Sequence, residues 1–190
     1  MAFVPMTRRF LQVFLLLGAA QALPSLAQQA QPEEYSLNAG YGYLLLEYQL
    51  SNSTAKLELE RLDRRRRRPR SPLVLNNSDV RFELTPLPAG DYQVLNVSVP
   101  YFDLPYRKDV SEDDRWRFTI EAGTVNYGGA LLVAPERSMN YVDIQLRNRW
   151  AASVDAIEST FGHVLKDYPL TVNMAYRDPF PAVLESQNAQ

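Results

Sequence analysis

The chain has 190 residues, a formal net charge of −2, one histidine and no cysteine. The missing cysteine excludes a disulfide, a thiolate zinc site, a cysteine nucleophile and a cysteine-linked lipid, and a net-acidic balance argues against nucleic acid as a partner. With 46% hydrophobic residues the chain can bury one sizeable core, so stability is expected from packing alone.

Arg8 and Arg9 precede an apolar run from Phe10 to Ala20, and the small residues Ser25 and Ala27 stand three and one before a cut after Ala27. Charge, short apolar run and small-x-small end together predict a secretory signal peptide over residues 1–27, since the run falls short of the roughly 20 residues a bilayer span needs. Its removal leaves 163 residues, a balance of about −4 and no expected membrane span. Export without cysteine suits a bacterial periplasm or the medium better than a eukaryotic secretory route. Residues 28–39, polar and carrying Pro32, Glu33 and Glu34, read as a flexible lead.

Tyr41 to Leu50 is a dense aromatic and leucine run, expected to be a strand buried on both faces. After Ser51-Asn52-Ser53-Thr54, the residues Ala55, Leu57 and Leu59 alternate with Lys56, Glu58 and Glu60, which predicts a strand with one wet face. Arg61 to Pro72 holds the run Arg64, Arg65, Arg66, Arg67, Arg68 and two prolines, and is expected to be an exposed loop. Leu73 to Leu75 reads as a short edge strand, and Val80, Phe82 and Leu84 mark another half-buried one. Pro86-Leu87-Pro88-Ala89-Gly90-Asp91 has turn chemistry: proline presets φ, glycine supplies a positive one and aspartate bonds locally. Beyond it, Tyr92, Val94 and Asn96 are assigned to one face of a strand, with Gln93, Leu95, Val97 and Val99 on the other.

The segment Leu87-Pro88-Ala89-Gly90-Asp91-Tyr92-Gln93-Val94 resembles the proline-glycine-tyrosine turn of transthyretin-like and carboxypeptidase-regulatory-like β-sandwich domains. Phe118 to Gly129 is similar to the matching strand pair of small bacterial envelope proteins of uncharacterised function. The resemblance runs from about Gly40 to Leu146. It implies a fold rather than an activity, supplies no catalytic residue, and does not reach the arginine run.

Pro100 to Asp114 reads as a loop of about fifteen residues, a length usually reserved for function or mobility. Trp116, Phe118 and Ile120, then Val125, Tyr127, Gly129, Leu131 and Val133, alternate on either side of Glu121-Ala122-Gly123. This predicts a hairpin of two strands that each bury one face, with Gly128-Gly129 marking a bulge or a close backbone approach. A turn at Ala134 to Ser138 leads to a last strand, Tyr141 to Leu146, with Val142, Ile144 and Leu146 as its apolar face. Trp150, Val154, Ile157, Phe161, Val164 or Leu165, and Tyr168 then step by three and four, predicting an amphipathic helix from Asn148, its cap, to Tyr168, with Pro169 as its stop. Residues 169–190 read as a tail in which Val172 and Met174 form a short strand. The expected fold is mainly β: an antiparallel β-sandwich, transthyretin-like or immunoglobulin-like, with one C-terminal amphipathic helix, together covering residues 40–168.

Catalytic chemistry finds little to work with. His163 stands alone in the helix, no serine sits in a glycine-flanked elbow, and Asp109, Glu112, Asp113 and Asp114 lack calcium-loop spacing, so no catalytic residue, metal or cofactor is expected and the chain reads as a non-enzyme. Two features remain. Arg64 to Arg68 are either a contact for an envelope protein or an anionic surface, because guanidinium forks match phosphate and carboxylate, or a solvated loop that guards an edge strand. Tyr101, Phe102 and Tyr106 either plug one end of the sandwich or offer a contact surface. The function expected is that of a non-enzymatic exported protein that binds or supports another envelope component, the alternative being a carbohydrate- or small-ligand-binding module.

Overall fold

The structure, a computed structural model, describes residues 35–51, 54–63, 72–76, 81–101, 104–136 and 141–178. The segment assigned to a signal peptide and the run Arg64 to Arg68 lie outside the described residues, as does Phe102.

In chain order the strands are β1 (Tyr41–Gln49), β2 (Ala55–Arg61), β3 (Leu73–Leu75), β4 (Phe82–Pro88), β5 (Gly90–Tyr101), β6 (Leu104–Asp109), β7 (Arg117–Ile120), β8 (Val125–Glu136), β9 (Tyr141–Arg147) and β10 (Leu170–Val172). A 3-10 turn at Asp114–Trp116 precedes β7, and the helix α1 (Trp150–Leu165) lies between β9 and β10. One sheet runs β4, β1, β8, with β9 and β10 sharing the far edge of β8; the other runs β3, β2, β5, with β6 and β7 sharing the far edge of β5. Most pairings are antiparallel, but β1 and β10 both lie parallel to β8. The molecule is thus the expected sandwich with one helix.

Strand β1 is the middle layer. Leu44, Leu46 and Tyr48 point into the core between the sheets, where they meet Leu57, Tyr92, Val94, Phe118, Ile120, Leu131 and Ile144. Tyr43 and Leu45 point the other way, to a second core with Phe82, Val125, Tyr127 and the helix residues Ile157, Phe161 and Val164. A strand buried on both faces reads as a continuous apolar run rather than an alternation, which explains the composition of Tyr41 to Leu50. On the outer sheet one face is wet, so β2 buries Ala55, Leu57 and Leu59 and exposes Lys56.

Three expectations are corrected. The stretch Trp116 to Val133 is not a hairpin: β7 pairs with β5 and β8 with β1, so the two strands belong to opposite sheets. Asn126 is the reason. Its buried side chain accepts from the Glu121 amide (2.9 Å) and donates to the Tyr43 carbonyl (3.1 Å), and the Gly123 amide donates to the Tyr41 carbonyl (2.8 Å), so the turn is tied to β1. Phe118 and Ile120 of β7 then share the sandwich core with Leu131 and Val133 of β8 instead of lying beside Val125 and Tyr127.

The second correction concerns phase. The register between β1 and β8 jumps from Leu45 opposite Tyr127 to Glu47 opposite Ala130, so Gly128-Gly129 is a bulge, with Gly129 at φ 100°. One extra residue reverses the facing of everything beyond it. Val125 and Tyr127 therefore face the helix while Leu131 and Val133 face the sandwich core. In β5 the pairing jumps from Glu58 opposite Asn96 to Leu59 opposite Val94, and this bulge at Leu95 brings Val97 and Val99 to the same core as Tyr92 and Val94.

Third, Pro100 to Asp114 is not a long loop. β5 continues to Tyr101 and β6 returns antiparallel to it, with Val99 opposite Tyr106 and Pro100 opposite Pro105. Pro105 is tolerated because β6 is an edge strand, and Pro100 because it lies beyond Ser98, where the pairing of β5 with β2 ends. Similarly, Pro86 to Pro88 belong to the edge strand β4, and the chain crosses between the sheets at Ala89, whose amide donates to the Gly40 carbonyl (2.8 Å).

The helix is shorter than Asn148 to Tyr168 but keeps the expected stripe, with Ile157, Phe161 and Val164 buried. Ser153, not Val154, continues that stripe toward the N-terminus. Beyond the helix, residues 170–172 join the first sheet as β10, and Met174 bridges to Phe118.

Candidate functional site

Of the sequence-predicted contact residues, Tyr101 and Tyr106 are among the described residues. Tyr106 is half-buried and packs against the sandwich core, so it contributes to the scaffold; Tyr101 ends β5. His163 is exposed, with its ring 5.5 Å from that of Tyr35. The acids are engaged locally: Asp109 accepts from the amide and hydroxyl of Ser111, Asp113 takes the Arg115 guanidinium, and Asp114 pairs with Arg117. Those bonds hold the carboxyls of Asp109 and Asp113 below the usual carboxylate range. Among the described residues no group of three or more His, Cys, Asp or Glu could hold a metal ion, and no helix is long and apolar enough to cross a membrane.

What the fold assembles instead is a cleft of about 850 Å³ where β9 runs out into α1. Its wall is the end of β9 from Ile144 to Arg147, followed by Asn148 and Arg149. Lys108 of β6 and Arg115 and Trp116 of the 3-10 turn face it from the other sheet, and Ala152, Tyr176 and Asp178 close the remaining side. Trp116 is 3% exposed and forms an apolar floor. The volume lies within the range of small-molecule sites.

Several hydrogen bonds fix this geometry. Asn148, nearly buried, donates through Nδ2 to the Tyr176 carbonyl (2.8 Å) and accepts at Oδ1 from the Trp150 amide (3.1 Å). Asn148, the expected cap, thus takes the first helical amide although it stands one residue before the N-cap Arg149, whose own side chain makes no capping bond, and it pins the returning chain. Asp178 accepts the Ala151 amide at 2.8 Å, seating a carboxylate on the helix N-terminus, where the helix dipole favours it. Lys108 Nζ donates to the Ile144 carbonyl (2.6 Å), and Arg147 donates through Nε and Nη2 to the Gln145 amide oxygen.

Four cations line the cleft, but they are not equivalent. Asp113 holds Arg115, and Glu47 of β1 takes Arg149 Nη1 at 3.3 Å. Lys108 and Arg147 donate to neutral oxygens; Lys108 also lies near enough to Asp113 to help lower its carboxyl, so Arg147 supplies the larger share of the charge the cleft offers. Behind Arg149, Glu47 is 5% exposed and also accepts from the Ser153 hydroxyl. Tyr127 lies in the same layer with its hydroxyl buried and without a well-formed hydrogen bond. Burial, then the nearby Glu47, pushes its pKa up to about 12, and Ser153 and Arg149 offset part of that effect.

Sequence reasoning missed the cleft because its cations come from positions 108, 115, 147 and 149, on separate elements. One signal was present: Glu47 is the only charge inside the apolar run from Tyr41 to Leu50, and Ser153 stands four residues before Ile157 on the helix stripe. A lone acid in a doubly buried strand needs a partner. No protein-family model matches the chain, nor does any curated protein.

Proposed function

We propose that this chain is a non-enzymatic exported protein of a bacterial cell envelope that binds another envelope component, presenting the cleft between β9, the 3-10 turn and α1 as its contact. The observation that carries the reading is the pairing of an apolar Trp116 floor with the cations Lys108 and Arg147, held in a frame of buried strands. Glu47, the most buried acid among the described residues, is occupied in joining β1 to α1, which supports a scaffold role for it.

Kinship with transthyretin-like domains belongs to the same proposal. It is supported by the turn after β4, where Gly90 takes φ 146° and the Tyr92 hydroxyl donates to the Pro88 carbonyl at 2.8 Å. Arg64 to Arg68 would supply a second, electrostatic contact. The alternative, a small-ligand-binding module, is favoured by the cleft's volume.

The test is affinity capture from native envelope extract at low and raised salt. A specific partner is expected at low salt and its loss at raised salt, because screening weakens exposed charge pairs. Replacing Arg64 to Arg68 by serine is expected to weaken capture without lowering the melting temperature, and unchanged capture removes the run from the reading. No partner in either salt would overturn envelope binding and leave the small-ligand module.

A further inference from the structure

We infer that the cleft is a site for a small molecule carrying two or more phosphate or carboxylate groups, with Lys108 and Arg147 as its principal anion-binding residues and Asp178 as an internal carboxylate that competes with it. The inference rests on the cleft being the binding surface of the proposed function, and it names the chemistry of what enters.

Arg115 and Arg149 already face Asp113 and Glu47, so their charge is largely neutralised from behind. Lys108 and Arg147 donate to the Ile144 carbonyl and the Gln145 amide oxygen. A cation that donates to a neutral oxygen keeps its net charge, whereas one that meets an anion gains the Coulomb attraction as well, so an incoming phosphate or carboxylate gains by taking these donors. Arg147 contributes a planar fork and Lys108 a compact point charge, a combination suited to an ligand with more than one charged group. Asp178 seated on the Ala151 amide shows that this rim already holds a carboxylate. A second anion must enter beside that charge or displace it.

The prediction is therefore asymmetric. Arg147→Gln removes an exposed cation and is expected to weaken binding by about tenfold or more, and Lys108→Gln to act likewise. Asp178→Asn keeps an oxygen able to accept the Ala151 amide but removes the competing charge, and is expected to tighten binding by about threefold to tenfold. A merely structural cap would leave affinity unchanged.

The experiment is calorimetric titration of the purified chain, in a background with Arg64 to Arg68 replaced by serine so that the run does not report. The probes are pyrophosphate, citrate and, as a neutral control, glucose. Vesicles of phosphatidylglycerol or of phosphatidylcholine, read by co-sedimentation, separate a lipid headgroup from a free anion as the source of the same chemistry. Binding of pyrophosphate or citrate but not glucose, lost in Arg147→Gln and strengthened in Asp178→Asn, supports the inference. No heat with either anion, or equal affinity in wild type, Arg147→Gln and Lys108→Gln, overturns it. Anion binding without envelope capture would sink the envelope reading alone, whereas capture without anion binding would sink the ligand class alone.

Discussion

Glu47 and Ser153, 106 positions apart in the chain, meet between β1 and the first turn of α1, where the serine hydroxyl donates to the buried carboxylate. Arg149 and, at 3.9 Å, Arg81 reach the other carboxylate oxygen. The pair fixes the rotation of the helix on the sheet and holds Arg149 at the cleft. Ser153→Ala is expected to cost about 1–2 kcal/mol, and Glu47→Ala about 3–5 kcal/mol, because the larger change strips Ser153, Arg149 and Arg81 of their shared partner and opens a void. The double variant should cost about 1–2 kcal/mol less than the sum. Urea unfolding of the four proteins measures this; strict additivity would mean that the bond contributes nothing beyond packing.

Tyr127 ties that layer to alkaline pH. Its pKa rises from 10.0 to about 12 on folding, so the folded state retains a proton that the unfolded chain loses first. The stability this represents is complete below pH 10 and disappears as pH rises toward 12, a loss of about 2–3 kcal/mol. Tyr43, whose pKa is raised by burial and by Tyr168 and Tyr35, acts in the same direction, its share being lost as pH rises above 10.0. Tyr127→Phe should be neutral or stabilising by up to about 1 kcal/mol at pH 7, since the hydroxyl it removes is buried without a well-formed partner, and should blunt the alkaline loss. Melting temperatures from pH 8 to 11.5 decide; an unchanged slope in the variant would remove Tyr127 from the explanation.

Strand existence was legible where one face is wet and the pattern alternates, as in β2, or where no face is wet, as in β1. The helix was legible from Ile157, Phe161 and Val164. Pairing was not, because alternation says which residues face inward and nothing about which neighbour supplies the hydrogen bonds; Asn126, whose side chain ties the β7–β8 turn to β1, looks like any polar strand residue in the sequence. Bulges were legible only as glycines. Gly128-Gly129 announced one, whereas Leu95 carries nothing to mark the other. The cleft was illegible for a related reason: its residues are brought together by two strands sharing one edge, a property of the sheets rather than of any local motif.

The close approach of β1 to the β7–β8 turn leaves no room at Gly42. A Cβ there would lie within 3.0 Å of Asn126 Nδ2 and closer still to the Glu121 carbonyl, which is backbone and has little freedom to yield. Gly42→Ala is expected to cost about 3 kcal/mol. At Gly129 the obstacle is the Met174 methyl at 2.7 Å together with a left-handed φ, so Gly129→Ala is strained even with a smaller residue at 174. Combining Gly129→Ala with Met174→Ala should therefore recover only part of the loss. Full recovery would show that the clash alone, and not the backbone, demands glycine at the bulge.

Gln93 holds the outer sheet together at the point where β6 and β7 divide one edge of β5. It is 2% exposed, and its Nε2 donates to the carbonyls of Val94, Val110 and Asp113 while its Oε1 accepts from Arg117 Nε at 2.8 Å. Val110 and Asp113 belong to chain that has left the ladder, and Val94 lies on β5 between the stretches paired with β6 and with β7, so the side chain replaces bonds that a neighbouring strand would have made. Gln93→Leu keeps the volume and removes every donor, leaving buried carbonyls without it at a cost of about 2–3 kcal/mol. The effect should also be local: hydrogen exchange at Val110 to Trp116 should accelerate before exchange at β1 and β8 does. Because Trp116 floors the cleft, the same variant should weaken anion binding there while Arg147 remains untouched. Uniform acceleration across both sheets would mean that Gln93 supports the fold as a whole rather than the segment that carries the cleft.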